Sequence, residues 1–255
     1  METGAVDSHC HLFLLQQNPQ RAVESAREVG VDRLVCVGID PSSSRRSVEL
    51  AESFRGVFAT AGMHPHTSSA LDESAGAQLE ELLSNPQVLA VGETGLDFYR
   101  MHSPVEDQDR AFRIHVRWSL EYDKPLVVHV REAWEDAMRV LEEERAERVV
   151  LHCFSGDERV AEQASGRGYF VSFAGNVTYP RNEHLRRAAR AAERDLLLAE
   201  TDSPFLSPQA IRGRENTPGN VVSVIESLAE IRDEDPASLL ATTSANARAA
   251  FPGLR

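Results

Sequence analysis

The sequence predicts an α/β fold of one kind, a single-domain (β/α)8 TIM barrel over residues 1–255 with one extra helix at its C-terminal end. Eight short apolar runs recur along the chain, and segments of helical spacing separate them. The length of 255 residues is what eight such units need in one domain. A doubly wound open sheet is the competing architecture, but no Gly-x-Gly-x-x-Gly follows any of the runs.

The runs read as strands are Ala5–Val6, Arg33–Ile39, Val57–Gly62, Val88–Gly92, Leu126–Val130, Val149–His152, Tyr169–Phe173 and Leu196–Ala199. Helical spacing is clear in, for example, Pro19–Val29, Ser42–Phe54, Glu106–Tyr122, Ala133–Glu144 and Glu183–Glu193. Asp40-Pro41, Asn85-Pro86, Lys124-Pro125, Gly166/Gly168 and Pro218-Gly219 mark connections, and Pro236–Phe251 reads as the further helix. Nothing in the chain reads as a linker, a low-complexity tract or a repeat. The acidic stretch Glu142–Glu147 reads as a solvated helix end.

An apolar content of 42% supports a large core, and a net charge of −13 argues against a broad basic surface for nucleic acid. A phosphate ester held locally by metal ions stays compatible with that charge. Three scattered cysteines, Cys10, Cys36 and Cys153, fit a reducing, cytoplasmic setting rather than a disulfide framework. The opening Met1-Glu2-Thr3-Gly4 has neither the basic nor the apolar region of a signal peptide, and no apolar run approaches the roughly 18 residues of a membrane span.

The polar residues collect at one end of this layout. His9 and His11 stand two apart at the tip of the first strand, so an extended backbone sends both imidazoles the same way. His64 follows strand three, Glu93 ends strand four, His129 lies near the end of strand five, His152 ends strand six and Asp202 follows strand eight. A histidine after a strand is more often structural than a ligand. Seven such residues at the rim where barrel active sites are built make a shared site the better reading.

Four histidines and two carboxylates exceed what one catalytic cation takes from protein. Two divalent ions roughly 3.5–4 Å apart would use the set if one carboxylate bridges them. A carbamylated lysine is excluded as bridge, because the one lysine, Lys124, precedes strand five at the opposite end. The sequence therefore predicts His9, His11 and Asp202 on one ion, His129 and His152 on the other, and Glu93 between them. Zinc, manganese, nickel or magnesium would suit these donors. A hydroxide shared by the ions would attack, with Asp202 relaying its proton.

Glu200 either orients a ligand or is a buried structural carboxylate. Arg131, two residues beyond His129, suits a phosphate through its fork of donors, or else pairs with Glu132 or Glu135. His64 is a candidate contact to a substrate oxygen. His66 reads as loop surface, Cys10 and Cys153 as packing residues turned away by alternation, His115 as structural, and His102 and His184 as exposed.

Asp7-Ser8-His9-Cys10-His11, Gly62-Met63-His64-Pro65, Gly92-Glu93-Thr94-Gly95-Leu96-Asp97, His129-Val130-Arg131, His152-Cys153-Phe154-Ser155-Gly156 and Glu200-Thr201-Asp202-Ser203-Pro204 together resemble the TatD family of metal-dependent deoxyribonucleases, within the amidohydrolase superfamily. Thr242–Arg248 is similar to that family's final helix. The resemblance covers nearly the whole chain. It implies a β/α barrel, divalent metals and hydrolysis of DNA phosphodiesters, often from the 3′ end; a flexible single strand would thread a terminal phosphate onto the metals more easily than a rigid duplex. It implies His9, His11, Glu93, His129, His152 and Asp202 as metal ligands, and His64 and Arg131 as substrate contacts. Two positions depart from the family pattern: Phe13 stands where an aspartate is common, and Gly219 where Arg214-Glu215-Asn216-Thr217-Pro218 would lead to tyrosine.

Three functions compete on this reading: a nuclease on DNA ends, a hydrolase of an amide or ester such as an aminoacyl-tRNA deacylase-like enzyme, and a scaffold with a structural metal. Structural sites are closed, whereas this set lies on an open rim. Among the enzymes, Arg131 and His64 favour the phosphodiester.

Overall fold

Eight strands form where the sequence places its apolar runs, in a computed structural model that describes residues 4–254. They are β1 (Ala5–Cys10), β2 (Val31–Val37), β3 (Val57–Ala61), β4 (Val88–Asp97), β5 (Leu126–Arg131), β6 (Val149–Leu151), β7 (Phe170–Phe173) and β8 (Leu197–Ala199). All pair in parallel and in chain order, from β1 to β8. Met1-Glu2-Thr3, on which the expectation of no leader rests, lies outside the described residues, and so does Arg255. No helix among the described residues is long and apolar enough to cross a membrane.

Nine helices among the described residues wrap this sheet: α1 (Pro19–Glu28), α2 (Pro41–Ser53), α3 (Glu73–Leu83), α4 (Val105–Glu121), α5 (Trp134–Glu143), α6 (Glu158–Gly166), α7 (Glu183–Ala191), α8 (Val221–Arg232) and α9 (Pro236–Ala250). Their starts follow local rules. The Asp40, Asp72, Asp157 and Asp235 side chains accept backbone N–H groups at the heads of α2, α3, α6 and α9. Proline occupies the first helical position in α1, α2 and α9, where its missing N–H costs no hydrogen bond. The architecture is the (β/α)8 barrel expected from the sequence.

The ladder between β8 and β1 is the incomplete one. The ring closes just beyond it. Asp202 N–H donates to His9 O at 2.9 Å, His11 N–H to Ser203 O at 2.8 Å, and Cys10 bridges Ser203. The buried Asp7 carboxylate accepts Thr201 N–H at 2.8 Å and Thr201 Oγ1–H at 2.6 Å across the same seam. Closure of the barrel and placement of His9, His11 and Asp202 are thus one set of bonds.

At the opposite end, Val35, Val127, Val150 and Leu198 pack with Ala250, Phe251 and Leu254, so the segment ending α9 plugs the barrel from below. Asn246 holds that plug, its side-chain amide donating to Arg194 O and Leu197 O at 2.8 and 2.9 Å. Lys124 bonds the Val88 carbonyl near the start of β4, at the end away from the metal-type residues.

Two strands run further than their apolar runs. β1 continues through Cys10 and β4 through Asp97. Most of the added residues are polar, yet every residue of both strands is buried: Cys10 and Leu96 join the hydrophobic core, and His9 and Glu93 line the mouth of the barrel. In β4 the extension depends on glycine. Gly92 and Gly95 have φ of +125° and +132°, and a Cβ at either would collide with the carbonyl oxygen of Val127 or His129 on β5.

Candidate metal centre

The six residues expected as ligands, and His64, meet in one cup at the C-terminal ends of the strands. His9 Nε2 and His11 Nε2 are 3.4 Å apart. Glu93 Oε2 lies 3.4 Å from His9 Nε2 and 3.9 Å from His11 Nε2, while Asp202 Oδ1 lies 3.9 and 3.4 Å from the same two atoms. The other oxygen of Glu93 faces a second group: Oε1 is 2.8 Å from His152 Nε2, 3.1 Å from His129 Nδ1 and 3.4 Å from His64 Nε2. The His9 and His152 rings stack at 3.8 Å between the two groups.

This spacing fits cations. Donors about 2.1 Å from a metal stand about 3.0–3.4 Å from one another. Three sets have donor atoms within 4.8 Å of each other: His9, His11 and Glu93; His9, His152 and Asp202; and His64, Glu93 and His129. His152 belongs beside both halves of the cup, rather than to one alone. The donor chemistry, imidazole with carboxylate, suits zinc, manganese or nickel.

Hydrogen bonds on the outer side of the rings decide which nitrogen faces inward, assigned here from the partners. His11 Nδ1 donates to Val37 O at 2.8 Å, His152 Nδ1 to Glu200 Oε1 at 3.2 Å, and His129 Nε2 to Asp97 Oδ2 at 3.1 Å. Each holds its proton outside and leaves a lone pair in the cup. His64 is the reverse. Its Nδ1 accepts the His66 backbone N–H at 3.0 Å, so the neutral ring carries its proton on Nε2, toward Glu93. Burial pushes His64 well below the usual imidazole range, which keeps it neutral and a donor. That chemistry separates His64 from the four other imidazoles, and matches a contact to a substrate oxygen.

Burial alone would raise the Glu93 carboxyl, but His152, His64 and His129 outweigh it and hold the acid well below the ordinary range. Asp202 is held below its ordinary range as well, burial being outweighed by the His11 and His9 imidazoles beside it. Asp202 also sits at φ +53°, a strained conformation for a non-glycine residue, fixed by its amide bond to His9 O.

Several residues of the site lay beyond the sequence reading. Asp97 is buried. Its Oδ2 meets both His129 Nε2 and His66 Nε2, the latter at 3.0 Å, and its Oδ1 accepts the Tyr99 and Arg100 amides at 3.0 and 2.7 Å. Burial would raise this acid, but the His129 and Arg100 bonds hold it far below the usual range. Glu93, Gly95 and Asp97 share one face of an extended strand; with β4 ended at Gly92, that alternation was out of sight. His66, read as loop surface, instead packs against His64 at 4.3 Å and is tied to Asp97. Glu200 takes the first of its two readings: Oε1 orients His152 and also accepts the Cys153 amide at 2.8 Å.

Cys10 packs as expected, its thiol donating to Val35 O at 3.4 Å. Cys153 differs: a φ of +42° breaks the alternation, leaving it partly exposed, 3.9 Å from Asn176 Nδ2. His115 is structural, with Nδ1 donating to Ala111 O and Nε2 accepting the Met63 amide. Arg131 lies over the Tyr99 ring at 3.9 Å and makes no ion pair among the described residues, so the expected alternative with Glu132 or Glu135 is not formed. Phe13 stands 5.8 Å from His11, at the mouth of the cup. A hollow of about 630 Å³ between α5 and α6 is on the outer wall, where Arg139 pairs with Asp136 and Glu143, and shares no residue with the cup.

Comparison with known proteins agrees with this geometry. A family model described as TatD related DNase matches residues 6–252. A protein of Escherichia coli named 3′-5′ ssDNA/RNA exonuclease TatD is 34% identical over 236 residues, 90% of this chain and 91% of that protein. A metal-dependent hydrolase of Bacillus subtilis, YabD, named as uncharacterized, is 33% identical over 249 residues, 96% of this chain and 98% of its own. The crystal structure of the TatD homolog YJJV from Escherichia coli superposes with a TM-score of 0.93 at 26% identity, covering 99% of each chain.

Proposed function

This chain belongs to the TatD-related DNase family of metal-dependent hydrolases, and from that premise we propose that it removes nucleotides from the 3′ ends of single-stranded DNA, using two divalent cations held by His9, His11, Glu93, His129, His152 and Asp202. The observation that carries this reading is the orientation of Glu93, which turns one oxygen to His9 and His11 and the other to His129 and His152. A carboxylate so placed suits a bridge. The exonuclease named among the relatives supports the choice of substrate.

Divalent ions bound there supply Lewis acidity and a water whose pKa falls toward about 7. The protein's own groups do the rest. Asp202, with its side chain 14% exposed, is the acid on the solvent side of the cup and takes the proton of the attacking water. His64 donates Nε2–H to a phosphate oxygen. Arg131, stacked on Tyr99 and free of carboxylates among the described residues, offers its planar fork to the same phosphate. A flexible single strand reaches such a recessed cup more easily than a rigid duplex.

The test uses protein stripped of metal, then resupplied with single divalent ions, on 5′-labelled single-stranded DNA. A ladder shortening from the 3′ end is expected with wild type, and its loss by about 10³-fold or more in Glu93→Gln, comparable to removing a central electrostatic group. Arg131→Ala is expected to cost about 100-fold on DNA but less than tenfold on a neutral ester. No metal-dependent shortening, or equal shortening by Glu93→Gln, refutes the reading.

A further inference from the structure

Outside the cup, two unusual populations share the same loops. Leu14, Tyr99, Met101 and Phe205 are four of the seven large apolar side chains exposed among the described residues, and all follow the C-terminal ends of β1, β4 or β8. Arginines of the outer helices and of these loops can be compared. On the outer helices, Arg46, Arg113, Arg139 and Arg187 are paired with carboxylates. Arg131, Arg181, Arg212 and Arg214, at the strand ends, have no ion-pair partner among the described residues. In a chain of net charge −13, these four guanidiniums stand on the face that bears the cup with no carboxylate within ion-pair distance among the described residues.

One part of that face is a built hollow of about 450 Å³, lined by Tyr179, Pro180, Arg181, Asn182, Gln209 and Arg212. It lies between the loop after β7 and the loop after β8. The Arg212 guanidinium sits 4.4 Å from the centroid of the Tyr179 ring. That ring is fixed in place, its hydroxyl donating to Ser207 O at 2.9 Å. Arg186 clamps the loop beneath it through Val177 O, Tyr179 O and Pro180 O at 3.3, 2.7 and 3.0 Å. Thr178 Oγ1 accepts the Gln209 amide at 2.8 Å and joins the two loops. Asn176, on the same loop, reaches Cys153 at 3.9 Å, so the loop that lines the hollow also touches the neighbour of His152.

A rigid aromatic face beside a stacked guanidinium with no carboxylate on it is suited to one nucleotide: the base stacks and the phosphate meets Arg212 and Arg181. The same pairing, Arg131 on Tyr99, stands at the ends of β5 and β4. We propose that the Tyr179–Arg212 hollow is a subsite for single-stranded DNA, taking a nucleotide several positions from the end held in the cup; this rests on the exonuclease reading given above. Pre-ordering of the ring and loop lowers the cost of ordering on binding. A duplex, with its bases stacked internally, gains nothing there.

The experiment measures fluorescence anisotropy of labelled, phosphorothioate-linked thymidine oligonucleotides from two to ten residues on the metal-loaded wild-type protein, and cleavage of ordinary oligonucleotides of the same lengths by the same enzyme. Affinity is expected to step up about tenfold between the dinucleotide and the longer strands. The step should vanish in Arg212→Ala and Tyr179→Ala and survive in Tyr179→Phe, which keeps the ring. Arg212 is exposed, so its truncation leaves the fold intact and keeps the test valid if Tyr179→Ala misfolds. Dinucleotide cleavage with no step, or a step that both truncations retain, overturns the subsite and spares the hydrolase. Cleavage of no length overturns both.

Discussion

At Asp97 one carboxylate serves two imidazoles, and its charge fixes which nitrogen of His129 enters the cup. Outer partners of this kind typically govern metal affinity by 10–100-fold. Asp97→Asn keeps the size and an acceptor but removes the charge. It is expected to weaken metal binding about tenfold, read by competition with a chromogenic chelator, with the far-UV spectrum unchanged; undiminished affinity would show that Asp97 does not act through His129. The residue-scale chemistry was partly legible. The metal-type residues were found because strand ends gather at one rim whatever the loops do. Asp97, His66 and the orienting role of Glu200 depend on ring orientation and on how far β4 extends, and neither is visible in a pattern of apolar runs.

Elements carry the next layer. His115 on α4 accepts the Met63 amide at 2.9 Å, and Met63 precedes His64, so this helix sets the loop that presents His64. Burial lowers the His115 pKa from 6.5 to about 4. The ring is neutral when folded, so protonation favours the unfolded chain. Its contribution to stability is complete above the unfolded value, falls as pH drops from 6.5 toward about 4, and levels off below. At roughly 1.4 kcal/mol per unit, the loss reaches roughly 2–3 kcal/mol by about pH 4.5. Urea unfolding of wild type and His115→Gln at pH 7.5 and 4.5 isolates the effect: wild type should lose that much more than the variant. Equal losses would place the titration elsewhere.

The same scale shows why β1 and β4 outrun their apolar runs. Apolar runs mark the first part of β1 and of β4, whereas the C-terminal parts of both strands are mostly polar and still buried, because they line a cup. A rule that expects hydrophobic burial stops where function begins.

Across the whole molecule, eight local βα units make the architecture countable from sequence, since each unit needs only its own pattern and a short turn. The seam was not countable. It depends on Asp7, Thr201, Asp202 and Ser203, nearly two hundred residues from one end to the other, bonding across β1 and β8. The cup at the top follows from that closure, and Ala250, Phe251 and Leu254 fill the opposite end.

Anomalous diffraction from crystals loaded with manganese or zinc tests the central claim most directly. Two peaks are expected about 3.5–4 Å apart, one beside His9 and His11, one beside His129, with Glu93 between them. A single peak at full occupancy under saturating metal, or a pair that Glu93 does not join, would contradict the account.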